Sequence, residues 1–286
     1  MGFVKIPAAT NRTTDFITSG TWVCPGGVYS AEFLVVGAGG GGGGVYAALN
    51  TYGLGGGGGG GGAVKKVILP TTPGSSYTIT IGAKGTGGTS AAGGNGGYSE
   101  VVLSGTTLVR AFGGRGGQGI DTSPAVVSAA YAASGGGSGS ATTATLADLS
   151  AVSGGGGSAT TQVSGKNTTP SQSNFAMFGI EGSLGNESST NPQTAVSVTG
   201  LAGIDGYGSG GNGGVWNTTG ALLFTNIAPY GAGAGGSLSN TTGASNGSNA
   251  IISGCGGGAA CVAGVATTAS TGGNGADGLV RITYFA

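Results

Sequence analysis

Gly37, Ala38 and Gly39 follow the apolar run Phe33–Val36 in "FLVVGAGGGG", an order in which a glycine turn can bring backbone amides up to a pyrophosphate. That chemistry also needs a helix opening on the turn and an acidic residue about 20 positions further on for the ribose. Here more glycines follow, then "VYAALNTY", then the uninterrupted block Gly55–Gly62, and no acid stands before Glu100. The motif is rejected as a dinucleotide fingerprint. No glycine run ends in the Gly-Lys-Ser/Thr of a phosphate loop either.

Other routes to catalysis are equally thin. The chain has no histidine, which removes the usual serine and cysteine triads, histidine metal ligation and histidine pH sensing together. Asp121, Asp148, Glu181, Glu187, Asp205 and Asp277 are scattered singly, a pattern of solvated loop residues or caps of turn amides rather than of facing carboxylates or calcium repeats. Cys24, Cys255 and Cys261 form no Cys-x-x-Cys pair and read as small buried hydrophobes, with a Cys255–Cys261 bridge the less favoured alternative. The expectation is a protein that is not an enzyme and that uses no cofactor and no metal.

Composition sets the class. Glycine supplies 71 of 286 residues, and charged residues only 6% with a net charge of zero, so no electrostatic footprint points to nucleic acid or to an anionic membrane. Aperiodic glycine at this level usually signals low complexity. Yet 38% of the chain is apolar and the mean hydropathy is +0.22, whereas disordered segments combine low hydrophobicity with high net charge. No Gly-X-Y repeat suggests collagen, and neither a secretory leader nor an apolar run long enough to span a membrane is evident.

Strand signals bracket the glycines. Phe16 to Val23 and Ala31 to Val36 flank Pro25-Gly26-Gly27 and predict a hairpin. Further strands are predicted over Ala63 to Leu69, Tyr77 to Ile81, Glu100 to Leu103 and Thr107 to Phe112, each bounded by turn residues. The closing "GLVRITYFA" alternates, with Leu279, Arg281, Thr283 and Phe285 on one face and Val280, Ile282 and Tyr284 on the other. Strands at both ends predict that the termini pair and close a single domain over residues 16–286. Residues 1–15 are small and polar and read as an attachment arm.

Between the strands lie the glycine runs 37–44, 55–62, 85–88, 93–97, 113–119, 135–139, 154–157, 206–214, 231–236, 254–258 and 272–278. A helix is excluded for them, since eight successive glycines would forfeit roughly 8 kcal/mol relative to alanine. An extended helix with three residues per turn has no internal hydrogen bonds, so its amides and carbonyls point outward and need partners when buried. Runs without side chains can pack closely enough to exchange those bonds. The fold predicted is mostly β and irregular, a polyglycine-II lattice flanked by short strands with almost no α-helix. Runs 39–44 and 55–62 should be central, and "GGNGG" and "GGRGG" should lie at the rim.

The segments between runs differ in length and chemistry, as display loops do. Tyr46 and Tyr52 lie in 45–54, Tyr131 in 120–134, Phe175 and Phe178 in 158–205, and Trp216, Phe224 and Tyr230 in 215–230. Aromatics among Ser, Gly and Asn supply large contacts at small entropic cost. Tyr46, Tyr52, Tyr131, Trp216, Phe224 and Tyr230 are the expected receptor-binding residues, the alternative for each being a cover over the end of the glycine core.

The motifs "FITSGTWVCPGGVYSAEFLVVGAGGGGGG", "TPGSSYTITIGAKGTGG", "GGNGGYSEV", "AFGGRGGQG" and "GGNGADGLVRITYF" resemble, in the same order, the glycine-rich domain of bacteriophage tail fibres and tail-tip adhesins. The resemblance covers about residues 16–119 and 272–286. It implies a polyglycine-II sandwich with β-structure and loops at one end that bind a bacterial surface protein or polysaccharide. It implies location on the virion exterior, attachment to other fibre or capsid proteins through the N-terminal arm, and an oligomer, a trimer in preference. The alternative is a structural or decorating virion protein without receptor binding. Neither nucleic acid binding nor membrane insertion is expected.

Overall fold

The computed structural model describes residues 10–47, 54–121, 131–132, 207–213, 215–217, 237–239, 243–263 and 266–286. These residues form β-strands and extended segments, and among them there is no helix.

Two four-stranded antiparallel sheets build one end of the molecule. In the first, β1 (Asn11–Phe16), β17 (Leu279–Phe285), β3 (Ser30–Val36) and β6 (Val64–Pro70) lie in that order. In the second, β2 (Gly20–Val23), β7 (Ser76–Thr80), β8 (Ser99–Leu103) and β9 (Thr106–Ala111) follow one another. Alternation explains the packing: Ala31, Phe33 and Val35 of β3 and Val280 and Ile282 of β17 turn inward against Trp22, Tyr77, Ile79, Val101 and Val109. Trp22 meets Phe33 edge to face, with ring centroids 5.9 Å apart at 88°. The opposite face of the first sheet buries Leu34, Val36, Val64 and Leu279, with Tyr207 against them.

The strands nearest the two ends lie side by side, β1 pairing with β17 from Asn11↔Phe285 to Phe16↔Val280, whereas the predicted first strand contributes only Phe16 to this pair. The pair is fastened by Arg281, whose Nε and Nη2 donate to the Asp15 carboxylate at 2.7 and 2.8 Å. The sheet therefore takes in residues 11–15, which the sequence reading leaves to an arm. Phe16 to Val23 is not one strand: β1 ends at Phe16, Ile17 is exposed, and β2 begins at Gly20.

The hairpin predicted around Pro25-Gly26-Gly27 does not form. The turn itself is there, with the Val28 amide on the Pro25 carbonyl at 3.3 Å and Gly27 at φ 82°. It carries the chain from one sheet to the other, because β2 pairs with β7 while β3 pairs with β17 and β6. A hairpin does join β8 to β9 through Ser104 and Gly105, both at positive φ, as a two-residue primed turn requires.

Most of the sandwich strands run directly into glycine segments, and these pack around the segment 37–44. Residues 37, 40 and 43 donate their amides to the carbonyls of 63, 60 and 57; residues 38, 41 and 44 to 97, 94 and 91; residues 39 and 42 to 276 and 273. Its carbonyls in turn accept from Gly85 and Gly88, from Gly114 and Gly117, and from Gly257 and Ala260. Each neighbour is served by every third residue, the repeat of an extended chain with three residues per turn. The neighbours also bond to one another, and the ring closes around the first glycine run. Contacts run from 82–88 to 91–97, to 112–118, to 56–63, to 254–260, to 272–276 and back to Gly85 and Gly88.

Glycine is required there by the closeness of other backbones. A Cβ on Gly41 would overlap the Thr86 carbonyl, one on Gly39 the Cys255 carbonyl, and one on Gly58 the Gly211 carbonyl. The run 56–63 belongs to the ring and is covered on its far side by 208–212, through Gly211 donating to Gly59 at 2.8 Å. At the rim the expected side chains appear: Asn95 of "GGNGG" and Arg115 of "GGRGG" are exposed.

Candidate functional site

At the lattice end opposite the sandwich the glycine runs finish in short strands. The segment 37–44 leads from β3 into β4 (Val45–Ala47), 56–63 leads back from β5 (Leu54–Gly55) to β6, and 112–119 leads from β9 into β10 (Ile120–Asp121). Also at this end are β11 (Tyr131–Ala132), β12 (Val215–Asn217), β13 (Ser237–Ser239), β14 (Gly243–Ser245), β15 (Cys261–Ala263) and β16 (Ala266–Ser270). They pair as β10-β4-β16, β11-β5-β15-β14 and β12-β13. The backbones of β4, β5, β12, β14 and β15 lie against one another, so the three small sheets share this end.

Three of the residues expected to bind are brought there. Tyr46 is half-buried in β4, opposite Asp121 in a parallel register. Tyr131 of β11 stands opposite Leu54, and Trp216 of β12 opposite Leu238. Tyr52, Phe224 and Tyr230 lie outside the described residues, as do Phe175 and Phe178. The segments 48–53, 122–130 and 218–236 each leave from and return to strands of this end.

The scaffold beneath is tied by a group of side chains whose role sequence reasoning missed. Asn95 Oδ1 accepts the Gly116 amide at 2.9 Å, Asn274 Oδ1 the Gly87 amide at 2.8 Å, Asn249 Oδ1 the Asn274 amide at 2.8 Å and Asn246 Oδ1 the Thr271 amide at 2.9 Å. Each stands where a carbonyl of another run would otherwise be needed. For Asn95 and Asn274 the signal was available, since Gly-Gly-Asn-Gly occurs at 93–96, 210–213 and 272–275. Asp277 acts similarly, its Oδ1 accepting the Lys84 amide at 2.8 Å, a bond between two extended runs rather than the turn cap expected of an isolated acid.

The three cysteines are buried thiols, and no Cys255–Cys261 bridge forms. Burial pushes the Cys261 thiol up to about 12 and raises that of Cys255 as well, against hydrogen bonds from Ser209 that pull it down. Among the described residues no group of three or more His, Cys, Asp or Glu could hold a metal ion.

A family model described as a glycine-rich domain matches residues 13–285, from inside β1 to the last residue of β17. The chain belongs to the glycine-rich domain family. No curated protein matches it. The match takes in the sandwich, the lattice and the far end of this glycine-rich domain alike.

Proposed function

We propose that this glycine-rich domain is a virion surface protein of the tail-fibre adhesin type. It binds a bacterial surface protein or polysaccharide through the segments that open from the end carrying Tyr46, Tyr131 and Trp216. It acts by contact alone, without catalysis, cofactor or metal. The residues ahead of β1 join it to other fibre or capsid proteins on the outside of a phage particle, and a trimer is the preferred assembly.

The observation that carries this reading is the separation of two ends by a cross-bonded lattice. Thr10 and Ala286 exchange backbone hydrogen bonds at the sandwich, while the aromatic-bearing strands converge at the far end. Loops held on a scaffold of this kind lose little freedom on binding, and their sequence can change without disturbing the lattice.

Purified protein should block phage adsorption on a susceptible strain within a panel of bacteria. Replacing 218–230 with a Gly-Ser linker should abolish blocking while leaving the β-sheet circular dichroism signal unchanged. A folded protein that blocks no strain, or blocks equally after loop replacement, would favour a decorating role instead.

A further inference from the structure

Four Asn-Gly dipeptides occur in the chain, at 95–96, 212–213, 246–247 and 274–275. In a free chain this pair is open to self-modification, because a glycine carries no side chain to hinder its amide nitrogen from attacking the asparagine Cγ. The glycine N–Cγ bond forms, the Cγ–Nδ2 bond breaks, and ammonia departs with the amide proton, leaving a five-membered succinimide. Water then opens the ring at either carbonyl, giving aspartate or isoaspartate.

Burial does not shelter these asparagines. Asn95 and Asn246 are exposed and Asn274 is half-buried, so water reaches all three. They are held by bonds instead, in the same arrangement each time. The nucleophile is engaged: Gly96 donates its amide to the Gly114 carbonyl at 2.8 Å, Gly247 to that of Thr271 at 3.0 Å and Gly275 to that of Gly85 at 2.9 Å. The electrophilic side chain is engaged as well, Asn95, Asn246 and Asn274 accepting through Oδ1 the amides of Gly116, Thr271 and Gly87 at 2.8 to 2.9 Å. Ring closure needs the glycine nitrogen turned onto Cγ, within about 3–3.5 Å. That rotation releases the glycine amide and swings Oδ1 off its donor. At Asn246 both bonds are made by one residue, Thr271, whose carbonyl accepts and whose amide donates.

We infer that Asn95, Asn246 and Asn274 are latent deamidation sites kept inert by the lattice, and that isoaspartate formed at them makes opening of the lattice irreversible. Aspartate keeps both the side-chain acceptor and the length of the main chain. Isoaspartate adds a methylene to the main chain, so the residues beyond it fall out of step with the three-residue repeat of the neighbouring runs. A run so altered does not return to its place, and the molecule keeps a chemical record of having opened. This holds whatever the far end binds.

The test incubates the intact protein in mildly alkaline buffer, folded or in urea, and reads isoaspartate at each site by peptide mapping. In urea all four Asn-Gly pairs should convert at similar rates. In the folded protein, conversion at 95, 246 and 274 should be slower by about tenfold or more, in step with the hydrogen-exchange protection of the Gly96, Gly247 and Gly275 amides, since both reactions need the same N–H released. Equal rates in the two conditions, or slow conversion at a site whose glycine amide exchanges freely, would overturn the locking. Partial thermal opening followed by cooling tests the consequence. Molecules that regain the native circular dichroism signal should be free of isoaspartate, and those that do not should carry it. Isoaspartate in the recovered fraction, or unrecovered molecules without it, would overturn the irreversibility.

Discussion

Asn274 reaches across from its run to take the Gly87 amide at 2.8 Å, a side-chain oxygen completing a network otherwise made of backbone. Asn274→Leu leaves that partly buried amide without an acceptor and should destabilise the protein by about 1–3 kcal/mol. Asn274→Asp keeps an acceptor and should cost less. Urea midpoints of the two variants measure the difference, and equal losses would refute the account.

Gly58→Val places a branched side chain against the Gly211 carbonyl and the backbone beyond it. Neither neighbour is the end of a flexible side chain, so the run must shift, at a cost of several kcal/mol. The expected outcome is a large drop in melting temperature or loss of soluble protein. In wild type the amides of residues 56, 57, 59, 60, 62 and 63, each donated to a neighbouring run, should exchange slowly.

The Asp15–Arg281 pair gives a pH signature. The Arg281 hydrogen bonds hold the Asp15 carboxyl below its ordinary 3.8 in the folded state. A carboxylate depressed in this way stabilises the fold above that ordinary value, and the contribution fades as pH falls through the folded-state value. Both side chains are partly exposed, so the effect is at most about 1 kcal/mol. Asp15→Asn should be less stable than wild type at pH 7, and the two denaturation midpoints should converge well below pH 3.8.

The buried thiols act at the other end of the scale. Cys261 is raised from 9.0 to about 12, so above pH 9 the unfolded chain loses a proton that the folded chain keeps. Stability should therefore fall as pH rises from 9 toward 12. A thiol-reactive chromophore at pH 8 should label none of the three cysteines in the native protein and all of them in denaturant. Rapid native labelling would show that these sites open.

Trp216→Ala separates recognition from structure at the far end. If Trp216 is a contact residue, binding to host cells should weaken by about 2 kcal/mol or more with little change in melting temperature. A stability loss of about 3 kcal/mol with affinity intact in the folded fraction would make it a cover for the lattice end.

Much of the architecture was legible because an uninterrupted run of glycine leaves room for other backbones to lie close against it. The central place of 39–44 agrees with its lack of side chains, and the strand Leu279–Phe285 was legible in its alternation, but its partner Asn11–Phe16 was not, since those small polar residues read as an arm. The Pro25-Gly26-Gly27 turn was read correctly as a turn but wrongly as a hairpin. A turn signal is local, and whether its flanking strands share a sheet depends on Trp22 facing Phe33 across the sandwich rather than lying beside it. The asparagines were missed as acceptors for the same reason, since their partners are set by which runs become neighbours. The convergence of Tyr46, Tyr131 and Trp216 is likewise a property of the assembled lattice.

The ring around 37–44 has a consequence for the order in which the protein folds. As the chain is synthesised, this segment emerges first among the glycine runs, and the runs at 56–63, 82–97 and 112–118 can join it early. Its remaining sides are closed by Gly257, Gly273, Ala260 and Ala276, near the opposite end of the chain. Contacts of such long sequence separation carry a loop-closure cost before they return any stabilisation, and they slow folding. The glycine run made first stays open on one side until the chain is almost complete.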